Sequence, residues 1–427
     1  MLLLSTRSIT ILALATLAPR ALLAALLGVF GQPEPWEYDV IAAHIVGGDG
    51  HVYERFAFVY AAYAPPLWSW ILAALLATVG EPRIAIQVLQ AVLCFGAAVT
   101  CGGLARRISG DETVGLLAGV LVAVQPSLLY YSVMKSDPLP LNVLLLSLIA
   151  AAAASLIEAP SDRRALVFGC LVALGVLARG TPAVALPVVA LALFVRRKSG
   201  ALRAVAVSTA AMSLCIAPWL IRNVFVLGAP VLTSTTGENF WRGNHEGAGG
   251  GVLDLNGGEI TRITPTNPAL PPPIRAVLAT GTEIQRHEIF MSEAWRFIST
   301  EPLEALDLFA RKMRTFWWRI DSDPRDYPRT ASIAYAVIYR TELALALFGA
   351  FVLFRSRGAA SRSPDRSAAA LVLGLMFAVS ILQSAFYVQG RHRFLIEPLL
   401  LMFTAAGVGS GGRGLLRRTA KRTGSSQ

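Results

Sequence analysis

Long apolar runs recur along almost the whole chain, and they constrain the fold more than any single motif does. Several approach the roughly 20 residues that an α-helix needs to cross a lipid bilayer. Only 15% of the 427 residues are charged, whereas a soluble protein carries about 25%. We therefore expect an all-α polytopic membrane protein. The apolar runs lie at about 8–30, 65–79, 84–105, 113–131, 138–158, 164–178, 182–195, 201–221, 333–354, 367–387 and 394–411.

Arginine clusters between the runs set the expected orientation. The run 65–79 is short and opens with Pro65–Pro66. If it does not cross, all basic clusters lie on the cytoplasmic side, as the positive-inside rule requires, and ten crossings result; if it crosses, there are eleven. The clusters are Arg106/Arg107, Arg163/Arg164, Arg196–Lys198, Arg355–Arg366 and Arg413–Arg422. The first run is too long for a signal peptide and lacks a clear cleavage site, so we expect an uncleaved span.

The same pattern divides the chain into four expected regions. Residues 1–221 form a transmembrane core that includes an external loop at 31–66. Residues 222–330 form an extracytoplasmic cap, residues 331–411 the last transmembrane helices, and residues 412–427 a basic cytoplasmic tail. Within the cap we expect amphipathic helices near Thr282–Ser299 and Pro302–Trp318, and a flexible loop at Gly247–Gly251.

Charge and cysteine usage exclude several classes of protein. The net charge is +11, but the basic residues fall at the ends of apolar runs, so we expect no nucleic-acid partner. All four cysteines lie inside apolar runs, which argues against a disulfide framework or a CxxC metal site. The histidines are scattered and no HExxH pair occurs, so no metal site and no cofactor are predicted.

The external loop 31–66 concentrates carboxylates beside the bilayer surface. A loop that only connected two spans could be short and without charged or aromatic residues. The carboxylates of this loop are placed where they could act on a substrate that a lipid delivers. The acidic residues are Glu34, Glu37, Asp39, Asp49 and Glu54, and they are interspersed with Trp36, Tyr38, His44, His51, Tyr53, Tyr60 and Tyr63.

A second charged segment, Lys135–Ser136–Asp137, lies between two apolar runs on the same expected face. Ionisable groups at membrane depth are costly, which favours a functional role. Alternatively, Lys135 extends to the interface and Asp137 caps the helix that begins near Pro138. Spacing alone leaves both interpretations open.

Arginines also occur on the outer face, against the positive-inside bias. Arg179, Arg222 and the Arg391/Arg393 couple lie at the expected outer ends of spans. A phosphate ligand would explain them, since guanidinium groups bind phosphate oxygens in a forked geometry. The alternative is pairing with headgroup phosphate or with Glu397. Several arginines on one face favour the phosphate site.

The order of these motifs resembles that of the GT-C membrane glycosyltransferases, specifically the bacterial group similar to protein O-mannosyltransferases and the lipid A aminoarabinose transferase. The matching segments run in family order from the first loop to the last span. They are PEPWEYDVIAAHIVGGDGHVYE, AYAPPLW, QPSLLYYSVMKSDPLPLNVLLL, LARGTPAVALP, APWLIRNVFVLGAPVLTSTTGENFWRGNH and QGRHRFLIEPLLL.

The resemblance implies a role for particular residues. An acidic residue of the first external loop would be the general base, which maps onto Glu34, with Glu37 as the competitor. Asp137 would assist it. The donor phosphate would be held by basic residues, and the loop side chains nearest the substrate would be aromatic or imidazole groups. The phosphate-binding candidates are Arg391, Arg393, Lys135, Arg222 and Arg179, and the substrate-loop candidates are Tyr38, Tyr63 and His245.

The function expected from the resemblance is an inverting, mannosyltransferase-like glycosyltransferase of the inner (cytoplasmic) membrane. It would move a sugar from a polyprenyl-phosphate donor to a glycan, lipid or protein acceptor on the periplasmic side, with the bilayer as its other partner. A polyprenyl phosphate leaves readily once its charge is held by Arg or Lys. The alternative is a transporter or flippase of lipid-linked sugars. That class favours charged residues near span midpoints and repeated broken helices, which we do not find in this sequence.

Overall fold

The computed structural model describes residues 4–251, 262–318, 329–355 and 365–409. Almost all of its regular structure is helical. The helices are α1 (Thr6–Leu27), α2 (Glu37–Gly47), α3 (Pro66–Val79), α4 (Arg83–Ser109), α5 (Glu112–Ala123), α6 (Pro126–Met134), α7 (Leu139–Glu158), α8 (Asp162–Ala178), α9 (Ala185–Val195), α10 (Ala201–Leu227), α11 (Thr236–Arg242), α12 (Pro272–Thr280), α13 (Glu283–Thr300), α14 (Pro302–Trp317), α15 (Arg329–Arg355), α16 (Arg366–Ala385) and α17 (Glu397–Gly409). Short 3₁₀ helices cover Thr181–Val184 and Gly390–Leu395, and one antiparallel hairpin joins β1 (Tyr53–Arg55) to β2 (Phe58–Tyr60).

The all-α polytopic class is confirmed. Within the described residues, six helices are long and apolar enough to cross a membrane: α1, α4, α7, α10, α15 and α16. The bent pair α5 and α6 can supply a seventh. The expected ten to eleven crossings is a larger number because it also counted shorter apolar runs. Three of these form the short apolar helices α3, Thr181–Val195 and α17.

The run expected to be one helix at 113–131 is broken between α5 and α6. The two helices meet at 43°, and the break falls at Gln125, which is extended because a residue before proline disfavours the helical conformation. Arg20 of α1 satisfies polar groups near the break. Its Nη1 donates to the Ala123 carbonyl at 2.8 Å and its Nε to Ser132 Oγ at 2.9 Å.

Small residues allow the helices of the bundle to approach closely. A Cβ atom at Gly102 of α4 would lie 2.9 Å from the Gly115 carbonyl oxygen of α5. A Cβ at Gly349 of α15 would lie 2.0 Å from the Phe403 carbonyl oxygen of α17. Such contacts bring the backbones of neighbouring spans together and replace the hydrophobic driving force that lipid cannot supply.

The cap contains the two amphipathic helices that the sequence predicts. The expected Thr282–Ser299 and Pro302–Trp318 correspond to α13 and α14, and Thr282 begins α13 with a capping box. Gly247–Gly251 is irregular, as expected for a loop, and the Gly250 carbonyl accepts the Val388 N–H at 2.8 Å. The expected tail at 412–427 lies outside the described residues.

The first external loop is bonded to the cap through backbone groups that follow β2. The Glu283 carboxylate of α13 accepts the N–H groups of Ala61 at 2.6 Å and Ala62 at 3.0 Å. The Arg286 guanidinium lies 3.4 Å from the centre of the Phe58 ring. The loop therefore packs against the cap through specific contacts and is more than a connection between two helices.

Candidate functional site

A cavity of about 940 Å³ lies where the first loop, the cap and the ends of α8 and α16 meet. Its lining mixes charged side chains with aromatic, threonine, asparagine and glutamine side chains. The charged residues that line it are Glu37, Arg55, Arg179, Glu238, Arg242 and Arg391, and its histidines are His287 and His392. The expected substrate-loop residues Tyr38 and Tyr63 also line it.

Glu37 is the acidic residue of the first loop that lines this cavity. It is the first residue of α2, a helix whose start is fixed because Asp39 Oδ2 accepts the Trp36 N–H at 2.9 Å. Burial raises the pKa of Glu37; its own backbone N–H partly opposes the rise, the charge of Asp137 adds to it, and Arg391 and Arg55 oppose it. A carboxylate with a raised pKa is a stronger base than an exposed glutamate.

Asp137 is close enough to this group to interact with it electrostatically. Its Oδ1 accepts the Leu139 N–H at 2.7 Å, so it stabilises the start of α7, as one of the two open interpretations proposed. Burial raises the pKa of Asp137, while the Leu139 N–H, Arg391, Arg179 and Lys135 oppose the rise. Asp137 therefore has both a structural contact and a place in the charged cluster.

Arg179 and Arg391 supply the positive charge of this cluster. Arg179 directly follows the last residue of α8, and Arg391 lies in the 3₁₀ helix Gly390–Leu395 with its guanidinium 5.8 Å from the Trp36 ring centre. Residues that follow Ala178 at the end of α8 and Ala385 at the end of α16 therefore line the same cavity. Both arginines line this cavity with Glu37, and both interact electrostatically with the buried Asp137.

His392 is a neutral hydrogen-bonding group beside the two arginines. Burial, together with the charges of Arg179 and Arg391, lowers its pKa well below the usual value. The Gln389 N–H donates to His392 Nδ1 at 3.2 Å. The neutral ring therefore carries its proton on Nε2.

Glu34, the first choice for the base in the sequence analysis, does not line the cavity. It lies in an extended segment whose backbone pairs with the chain before Asp137: its N–H donates to the Met134 carbonyl and its carbonyl accepts the Ser136 N–H. Its side chain is 63% exposed and lies 3.4 Å from Lys135 Nζ. The geometry therefore favours Glu37, the competitor that the sequence offered.

Lys135, which the sequence analysis expected to bind phosphate, forms this salt bridge with Glu34. Its Nζ lies 4.8 Å from the centre of the Trp36 ring as well as next to Glu34, and the residue is 8% exposed. It does not line the cavity.

Arg393 is separated from the cavity, although it is only two residues from Arg391. It is 0% exposed, its Nε lies 3.1 Å from Glu397 Oε1, and its Nη1 donates to the Phe316 carbonyl at 2.8 Å. Gln125 Nε2 and the Tyr335 hydroxyl donate to the same Glu397 carboxylate. Pairing with Glu397 was the alternative that the sequence left open, and the structure shows that pairing.

Two further expected site residues lie elsewhere. Arg222 Nη1 donates to the Ala61 carbonyl at 2.7 Å and to Asn223 Oδ1 at 2.8 Å, so it binds the first loop. His245 stacks on Trp241 with ring centres 4.5 Å apart. Neither lines the cavity.

The structure adds a charged triad that the sequence analysis missed. Glu238 Oε1 accepts from Arg242 Nη2 at 2.7 Å and from Arg55 Nη1 at 3.1 Å. Burial acts to raise the pKa of Glu238, but the two arginines outweigh it and hold the pKa below its usual value. The i,i+4 spacing of Glu238 and Arg242 was visible in the sequence, whereas Arg55 joins them only through the fold.

No group of three His, Cys, Asp or Glu side chains within the described ranges is placed to hold a metal ion. The chemistry that the cavity itself offers is that of carboxylates and guanidinium groups. Such a set can accept a proton from a hydroxyl and stabilise the charge of a phosphate.

Part of the chain matches a known protein family. Residues 63–221 match the sequence model of the family described as dolichyl-phosphate-mannose-protein mannosyltransferase. That segment contains Asp137 and Arg179, and it does not extend to Glu37 or Arg391. A search of curated proteins finds no match.

Two solved structures align with the chain, and the first of them is similar in fold. The archaeal oligosaccharyltransferase AglB from Archaeoglobus fulgidus, in complex with an inhibitory peptide and a dolichol-phosphate, aligns over 98% of this chain and 51% of its own, with a TM-score of 0.52 and 15% sequence identity. ArnT from Cupriavidus metallidurans in the apo state aligns over 83% of this chain and 72% of its own, with a TM-score of 0.37 and 13% identity. The chain thus spans about half the length of AglB. The fold is of the GT-C type, and the resemblance to the GT-C membrane glycosyltransferases that the sequence motifs indicated is confirmed.

Proposed function

We propose that this protein transfers a sugar from a polyprenyl-phosphate donor to an acceptor hydroxyl at the outer face of the cytoplasmic membrane. The observation that carries the proposal is that Glu37, Arg179 and Arg391 line one cavity at the end of a helical bundle, and that the buried Asp137 is close enough to interact electrostatically with all three. The match to a family of dolichyl-phosphate-mannose-dependent enzymes and the dolichol-phosphate bound to AglB support a lipid-linked donor.

In the proposed reaction, Arg179 and Arg391 hold the donor phosphate. Arg179 directly follows α8 and Arg391 lies in the 3₁₀ helix Gly390–Leu395, so regular structure positions the backbone of both before the phosphate arrives. They stabilise the negative charge that develops on the phosphate oxygen as the bond from the sugar carbon to that oxygen breaks. The polyprenyl phosphate is the leaving group.

Glu37 accepts the proton of the incoming hydroxyl. The acceptor oxygen forms a bond to the sugar carbon as the phosphate leaves, and the carbon develops oxocarbenium character in between. Burial favours this role for Glu37 over Glu34, because it raises the pKa of Glu37 and so its basicity. Asp137 orients the acceptor or the base. The inverting outcome is the one that the GT-C resemblance implies.

The outer face follows from the distribution of charge. The clusters Arg106/Arg107 and Arg196–Lys198 flank the ends of α4 and α9, opposite the end of the bundle that carries the cavity. The positive-inside rule assigns these clusters to the cytoplasm. The donor would reach the cavity through the membrane with its polyprenyl chain between helices, which removes the need for a nucleotide-binding domain.

The test uses the full chain in lipid nanodiscs and polyprenyl-phosphate donors that carry different labelled sugars. Release of free polyprenyl phosphate and transfer of label to envelope glycans or glycoproteins are both measured. Glu37→Gln should lower turnover by roughly 10²–10⁴-fold, as expected for loss of a general base. The matched control Glu34→Gln should retain near wild-type turnover. Full activity of Glu37→Gln, or no turnover of any donor by the wild type, would remove the proposed mechanism.

A further inference from the structure

A second cavity lies at the opposite end of the bundle from the proposed active site. Asp137 and Leu139 mark the start of α7, and Phe386 follows the end of α16, on the side of the large cavity. The second cavity is lined by Glu158 at the other end of α7 and by Ser367 at the beginning of α16. Since α7 has 20 residues, its two ends are roughly 30 Å apart. The two sites are therefore on opposite faces of the membrane.

The second cavity has a volume of about 280 Å³ and a wall of charged side chains. Three cations line it, Arg107, Arg196 and Lys198, together with two carboxylates, Glu158 and Asp365. The lining thus carries one excess positive charge. Its remaining surface includes apolar side chains of α7 and α16, such as Ile157 and Leu371.

Both carboxylates are engaged by one of the three cations. Arg107 Nε lies 2.8 Å from Asp365 Oδ2, and Arg107 Nη2 lies 3.2 Å from Glu158 Oε2. The Arg107 side chain is only 14% exposed. Arg107 therefore joins the ends of α4 and α7 to the start of α16 and uses its charge within the protein.

The other two cations bind neutral acceptors. Arg196 donates to Ser367 Oγ, and Lys198 Nζ donates to the backbone carbonyl of Glu158 at 3.2 Å. Within the described part of the chain, neither is in a salt bridge with a carboxylate. Arg196 and Lys198 thus line a small cavity without a salt-bridge partner among the described residues.

We propose that this cavity binds a phosphate group, with Arg196 and Lys198 as its ligands. One negative charge would neutralise the excess charge of the lining, and the hydroxyl of Ser367 can donate to a phosphate oxygen. The location favours an anionic phospholipid as the source. Basic pockets between spans on the cytoplasmic side recruit such headgroups. A bound phosphate would link the α9–α10 connection to α16.

The experiment uses the full-length protein after lipid depletion in detergent. Phosphatidylglycerol, diacylglycerol and inorganic phosphate are added separately, and the midpoint of thermal unfolding is followed as a function of ligand concentration. Native mass spectrometry counts the retained phospholipid molecules. Phosphatidylglycerol should raise the midpoint, and diacylglycerol, which lacks the phosphate, should not.

The variant Arg196→Gln/Lys198→Gln removes the two proposed ligands. Its control, Arg163→Gln/Arg197→Gln, removes the same charge from exposed residues that do not line the cavity. The first variant should weaken phosphatidylglycerol binding about 10- to 30-fold, given about 1 kcal/mol for each basic residue near the surface. The control should bind as the wild type does.

The ligand series separates the two sources of phosphate. A response to phosphatidylglycerol alone, lost in Arg196→Gln/Lys198→Gln, identifies the lipid headgroup. An equal response to inorganic phosphate, lost in the same variant, identifies a soluble phosphate compound. Equal loss in the charge-matched control, or unchanged lipid retention and stabilisation in Arg196→Gln/Lys198→Gln, would overturn the proposed site. The single variants Arg196→Gln and Lys198→Gln provide the same comparison should the double variant fold poorly.

Discussion

Replacing Arg393 by glutamine should destabilise the protein strongly, whereas the same change at Arg391, two positions earlier, should not. Arg393 is fully buried, pairs with Glu397 and donates to the Phe316 carbonyl at the end of α14. Its guanidinium also lies 3.8 Å from the centre of the Tyr339 ring of α15. Arg393 therefore holds α14, α15 and α17 together, and Arg391 lines the large cavity.

The expected magnitude follows from these contacts. Removing one partner of a buried ion pair costs about 3–5 kcal/mol, because the other charge remains buried and uncompensated. The hydrogen bond to Phe316 belongs to the same network, so its contribution is not added separately. Arg391→Gln loses a cation–π contact with Trp36, worth about 0.5–1 kcal/mol at an exposed site, and its electrostatic interactions with Glu37 and Asp137 at the cavity. On these figures the two variants should differ by about 2–4.5 kcal/mol, which is roughly 30- to 2,000-fold in the ratio of folded to unfolded protein.

Equilibrium unfolding in mixed micelles, followed by tryptophan fluorescence, measures both variants. Binding of polyprenyl phosphate to the folded protein is measured in parallel, and there Arg391→Gln should show the larger loss. The double variant Arg393→Met/Glu397→Leu should regain only part of the lost stability, because it removes the uncompensated charge but leaves the Gln125 and Tyr335 donors without their acceptor. The reasoning fails if Arg393→Gln is as stable as the wild type and has lost affinity for polyprenyl phosphate.

Three further outcomes are expected. Burial raises the pKa of Glu37, so the transfer rate should increase with pH through that raised pKa as the carboxylate ionises, and Glu34→Gln should keep the same profile of kcat against pH. Burial lowers the pKa of Lys312 from 10.5 to about 7. Between these two pH values the native state binds fewer protons than the unfolded state, so the free energy of unfolding should increase with pH there. Lys312→Met should remove this increase, and Arg314→Gln, at an exposed position of the same helix, should keep it. A Cβ at Gly237 would lie 2.1 Å from the His287 carbonyl oxygen, so Gly237→Ala should cost about 1–3 kcal/mol and raise amide hydrogen exchange in α11 and α13.

The helices were predictable because their signals are local. Apolar runs of sufficient length, and amphipathic periodicity in α13 and α14, depend on residues within one element. The break before Pro126 was missed because the apolar run continues across it, although a proline after an extended residue is a local signal for a helix boundary.

The candidate site was less predictable because its members are joined by tertiary contacts. Glu34 and Glu37 are three positions apart, and what separates them is the backbone pairing of Glu34 with residues 134–136. Arg391 and Arg393 differ in the same way, since a 3₁₀ turn directs one to the cavity and the other to Glu397. The contact between Arg55 and Glu238 joins residues 183 positions apart, and no local sequence pattern predicts it.

The position of Arg391 has a consequence for biosynthesis. Glu37, Asp137 and Arg179 leave the ribosome before α16 and Arg391. In the proposed mechanism the donor phosphate needs Arg391, so a chain translated only as far as α16 would carry Glu37, Asp137 and Arg179 without the second arginine. The proposed activity would be absent until α16 and Arg391 are in place, and shorter translation products could not consume lipid-linked sugar.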